Sequence, residues 1–80
     1  MPFYFFLWTE ENREKLDQHG IDPDDFEMIV MNPDEVEESR SSDRLIAFGE
    51  DSHGRYVACL YELEDDDSLV IPITAYPIED

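Results

Sequence analysis

Cations, cysteines and long apolar runs are what this chain lacks. Against 22 Asp and Glu stand only 5 Lys and Arg, giving a formal charge of -17. Affinity for nucleic acid comes mainly from cations that displace phosphate counterions, so the chain repels phosphate at long range and contact with RNA or DNA requires a local exception. Cys59 is a lone cysteine, which excludes an intrachain disulfide framework and a cysteine-based zinc site. No apolar run approaches the roughly 18 residues of a membrane span, and the run from Phe3 to Trp8 lacks the basic flank of a secretory signal. A soluble cytoplasmic protein is the expectation. There is also no phosphate-binding glycine loop, no dinucleotide fingerprint and no Ser/His/Asp setting on a strand-to-helix elbow, so neither a metal nor a small-molecule cofactor is expected.

What is present is enough to fold. An apolar share of 41%, with 12% aromatic, in 80 residues offers more surface to bury than an acidic disordered tail does, and supports one domain over 1–80. The aromatic run Phe3 to Trp8 has strand length and no alternation, which predicts a first strand buried on both faces. Thr9 then caps a helix over about residues 10 to 19, with Glu10 and Glu11 in its first turn and Gly20 closing it. Leu16 shares its face with Thr9, Asn12 and His19, an unusual composition for a core.

Asp22-Pro23 predicts a second helix, a capping side chain followed by a preset φ, with Asp24 and Asp25 in the first turn. Phe26, Ile29 and Val30 form its buried stripe, Met28 and Met31 widen it, and Asn32-Pro33 ends it. That stripe is expected to pack on Phe5, Leu7, Cys59 and Ile73. The charged, serine-rich stretch from Asp34 to Asp43 reads as a loop. Leu45 to Phe48, Tyr56 to Leu63 and Leu69 to Tyr76 then read as a three-stranded meander, Pro72 placing the last strand at an edge or a bulge, and Tyr56 to Leu60 suiting the centre. The expected fold is α+β in the order β-α-α-β-β-β, two helices on one face of a mainly antiparallel four-stranded sheet.

Arg40, Arg44 and Arg55 concentrate most of the positive charge in one stretch, as surface ion pairs or as an anion site. His19, at the end of the first helix, suits either the C-terminal dipole or acid-base chemistry. His53 reads as a solvated turn residue, Asp65-Asp66-Asp67 as a solvated hairpin tip, and Cys59 as a small core side chain. The pairs Asp24-Asp25 and Glu37-Glu38 are assigned no catalysis, since adjacent residues point apart on a helix.

The order Trp8-Thr9-Glu10-Glu11-Asn12, His19-Gly20-Ile21, Phe26 to Val30 and Asn32-Pro33 resembles the BrnT family of bacterial toxins. Ser39 to Arg44, Ala47-Phe48-Gly49, Gly54-Arg55 and Ile73-Thr74-Ala75-Tyr76 extend the resemblance over nearly the whole chain. It implies a RelE-like fold and the toxin of a type II toxin-antitoxin system, a metal-independent ribonuclease with a cognate antitoxin and RNA as partners. Arg40, Arg44 and Arg55 would stabilise phosphorane charge, converging beside His19 and Tyr76 at one sheet edge. The family is typically basic, often with arginine where Tyr76 stands and lysine where Asn12 stands. Each missing cation corresponds to roughly 3 kcal/mol of transition-state stabilisation, by analogy with one lost oxyanion donor. The implied ribonuclease is therefore weakened or inactive, and the alternative is a non-catalytic acidic protein-binding module or nucleic-acid mimic derived from the toxin fold.

Overall fold

Thr9 and Asn12 start the first helix reciprocally. The Thr9 hydroxyl accepts from the Asn12 N–H at 3.2 Å, and the Asn12 side-chain carbonyl accepts from the Thr9 N–H at 2.8 Å, which closes two donors that a helix start leaves open. The computed structural model, which describes residues 4–38, 44–64 and 68–78, places α1 at Glu10–Gln18. Gly20, at φ 70, ends it: its N–H donates to Asp17 O at 3.0 Å and the Ile21 N–H to Leu16 O at 2.9 Å. This pairing needs a left-handed residue after the cap, where glycine carries no Cβ penalty. Leu16 and Ile21 are both buried, so the helix end is also an apolar contact.

α2 spans Pro23–Met31 and buries Phe26, Ile29 and Val30, the stripe expected from their spacing. Met28 and Met31 are exposed, so the stripe is narrower than the sequence suggests. Asp22 precedes the helix but makes no side-chain cap bond.

The expected four-stranded antiparallel sheet is corrected to a five-stranded mixed one, ordered β1-β5-β4-β3-β2. The strands are β1 (Phe5–Phe6), β2 (Glu35–Glu38), β3 (Arg44–Glu50), β4 (Tyr56–Glu64) and β5 (Leu69–Pro77). β2, read as loop, pairs antiparallel with β3 from Glu35 opposite Phe48 to Glu38 opposite Leu45. An edge strand needs backbone groups more than an apolar face, and its carboxylates guard that edge against further pairing. β1 runs parallel to β5, Phe5 N–H donating to Ser68 O at 2.8 Å and Leu7 N–H to Val70 O at 2.9 Å. It is much shorter than the aromatic run, of which Phe3 lies outside the described residues. β4 is central, as expected. Pro72 pairs with Tyr61 where the β4–β5 register shifts, the bulge that its missing donor favours.

α1 packs against β5, and α2 against β3 and β4. Leu16, Phe26, Ile29 and Val30 meet Ala47, Val57, Cys59, Tyr61, Val70 and Ala75 in one core. Phe5 and Leu7 are exposed, contrary to the expected packing. Phe6 and Trp8 take that role, their rings set edge-on to Phe26 at 6.5 and 5.4 Å, because alternate residues of an extended chain face opposite sides. Gly49 lies under α2, where an added Cβ would meet Ile29 at 3.1 Å.

Candidate functional site

The turn after β3 is organised by one buried carboxylate. Asp51 accepts from the backbone N–H of His53 at 2.9 Å and of Arg55 at 2.8 Å. The Arg55 guanidinium donates to Asp51 Oδ2 through Nε and Nη2, both at 2.9 Å. Burial alone would raise the Asp51 pKa, but these N–H and guanidinium donors outweigh it and hold the carboxyl below its ordinary value. Arg55 Nη2 also donates to Gly20 O at 2.6 Å, which ties the turn to the end of α1.

His19 lies at that same end, and its ring is 6.5 Å from the ring of Tyr76. Of the residues singled out from sequence, His19, Arg55 and Tyr76 thus occupy one end of the sheet. Arg44 does not join them. It opens β3 opposite Glu62, whereas Glu50, opposite Tyr56, closes the strand. At a rise of about 3.3 Å per residue the two arginines are separated by roughly 20 Å. The Arg44 Nε is 3.5 Å from Glu62 Oε1. Arg40 lies outside the described residues, as do Asp65, Asp66 and Asp67. Of the four described cations, Arg44, Arg55 and Lys15, which is 3.9 Å from Glu11, have carboxylate partners.

A second convergence joins the same turn to α2. Asp25, buried, accepts from Ser52 N–H at 3.3 Å and from the Ser52 hydroxyl at 2.9 Å. Asp22, Asp25 and His53 bring potential metal-ligating atoms within 4.8 Å of one another. Both Asp25 oxygens hold Ser52, so the arrangement first serves to clasp the turn to the helix. Neighbouring positions in sequence give no sign of this contact, which forms only when β3 delivers the turn beneath α2. Cys59 is buried and its thiol is pushed up to about 12, by burial first and then by the Asp25 carboxylate, so it is held as an unreactive thiol at neutral pH.

The sheet face away from the helices is the larger feature. Since Ala47, Val57, Cys59 and Ala75 point to the core, the register sets Ile46, Phe48, Tyr56, Leu60 and Tyr76 on the opposite face. Phe48 and Tyr56 stack at 6.3 Å. Tyr56 and Tyr76 are 39% and 40% exposed, and among the described elements no helix lies over them. The signal was present in the sequence, since β4 is apolar in both parities, but apolarity on both faces reads as burial on both. Comparison with family models, with curated proteins and with solved structures finds no match to this chain.

Proposed function

We propose that this is a non-catalytic, acidic protein-binding domain whose binding surface is the helix-free face of its sheet. The apolar character of that face carries the reading: Ile46, Phe48 and Leu60 are each only part-buried, where a finished two-layer domain presents polar side chains to water. A pocketed cationic site is not what supports function here, because Arg44 and Arg55 are engaged with Glu62 and Asp51 at opposite ends of β3.

One observation favours the toxin-like reading as a second possibility, namely the placing of His19, Arg55 and Tyr76 at one end of the sheet. Tyrosine lacks the charge of the arginine expected there by resemblance, and the Arg55 guanidinium is held on both Asp51 and Gly20. The two readings separate in one assay. Purified protein incubated with a mixed RNA pool in the presence of a chelator is expected to leave it uncut. Cleavage that disappears in both Arg55→Ala and His19→Ala would replace the binding-module reading with a ribonuclease.

A further inference from the structure

The helix-free face is apolar at its centre, and among the described residues its rim is acidic in excess. Register sets Glu35 beside Phe48 and Glu37 beside Ile46, Glu50 beside Tyr56 and Glu62 beside Arg44. Arg44, the cation that register puts on this face, is paired with Glu62. The Tyr56 phenol senses the rim: burial raises its pKa, and the carboxylates of Asp34 and Glu35 raise it further. A sheet with apolar residues on both faces is the middle layer of a three-layer arrangement. On the opposite face that outer layer is supplied by α1 and α2.

We propose that this face docks an amphipathic α-helix of another protein, apolar along its centre and flanked by Lys or Arg. The inference rests on the binding-module reading and adds the partner's chemistry. Charge selects the partner. A second copy also carries -17, and a two-fold contact through this face would set the same carboxylate rim against itself. Nucleic acid and anionic lipid meet the same repulsion. A cationic helix places its flanks over Glu35, Glu37 and Glu50 while its apolar stripe covers Ile46, Phe48 and Leu60, with Phe48 and Tyr56 as the aromatic anchors that concentrate binding energy.

The test uses two synthetic helical peptides with one Leu/Ile stripe, flanked in one by Lys and in the other by Glu. Each is titrated into the full chain with labelled methyl groups. The Lys-flanked peptide is expected to shift Ile46, Leu60 and Ile71, with affinity falling about tenfold between about 50 and 300 mM salt. The double substitution Glu35→Gln and Glu37→Gln should weaken it several-fold without lowering the melting temperature, since both side chains are exposed on an edge strand. The Glu-flanked peptide should not bind. Equal binding of both peptides would overturn the cationic partner while leaving a binding face. No methyl shift with either peptide, or shifts confined to Leu16 and Val30, would overturn both. Concentration-dependent self-association abolished by Phe48→Ser would put a second copy in place of the proposed helix.

Discussion

Asn12 shows how much one polar residue can hold together. It is 7% exposed, it completes the cap with Thr9, and its amide donates to Leu7 O at 3.1 Å and to Pro72 O at 3.3 Å. The strand exit, the start of α1 and the bulge of β5 thus meet at one side chain. Asn12→Ala is expected to cost about 2 to 3 kcal/mol in chemical denaturation, combining a lost cap with carbonyls left without a donor; a loss below 0.5 kcal/mol, about that of a free surface change, would show the bonds to be dispensable. Neither periodicity nor composition pointed to this role. Thr9 reads as the cap in the sequence, whereas the reach of Asn12 to Pro72 depends on tertiary folding.

Asp51 gives the second test at this scale. Its folded-state pKa lies below the ordinary carboxylate value, so the unfolded chain binds the proton more readily. The stability it contributes is present in full above the unfolded pKa of about 4, and is lost as pH falls through the lower folded value. The gap in melting temperature between the native chain and Asp51→Asn should therefore be widest near neutrality and close below about pH 4. A gap that stays constant down to pH 3 would deny the Asp51–Arg55 network its role in fixing the turn.

At the scale of elements, α2 was the most legible because three signals agree on it: Asp22-Pro23 at the start, the Phe26, Ile29 and Val30 spacing, and Asn32-Pro33 at the end. Ile29 is 2% exposed and lies against Gly49. Ile29→Ala is expected to cost about 2 to 4 kcal/mol, and denaturation midpoints that scarcely move would contradict the packing of α2 on β3. β2 was illegible for a physical reason. Glu35, Val36, Glu37 and Glu38 offer no stripe, and the strand exists through its backbone ladder to β3. The parity of β1 was equally hidden, since an unbroken aromatic run does not reveal which alternate residues, Phe6 and Trp8 or Phe5 and Leu7, turn inward. Of the candidate site, the chemistry of each residue could be read, and the strand order left Arg44 and Arg55 free to lie at different ends of the β3–β4 hairpin; the register, with Arg44 opposite Glu62 and Glu50 opposite Tyr56, decides that they do.

At the scale of the whole molecule, excess negative charge opposes compaction. With a charge of -17, carboxylates such as Glu35, Glu37 and Glu38 crowd one exposed edge, and salt that shortens the Debye length below about 10 Å relieves their repulsion. The melting temperature should rise with sodium chloride over the range from about 0.05 to 0.5 M. A flat or falling series would mean that local pairs such as Arg55–Asp51, which salt weakens, outweigh the general repulsion.

The same charge and the same sheet govern function in this account, which makes the helix-free face its central element. A photoreactive phenylalanine analogue placed at Phe48 changes little in shape and reports what touches that face in the cells that make the protein. The comparison is the same analogue at Glu14, exposed on α1. The account predicts a discrete adduct with another, cationic polypeptide from position 48 and none from position 14. Irradiation that yields no adduct at position 48, or equal adducts at both positions, would contradict it.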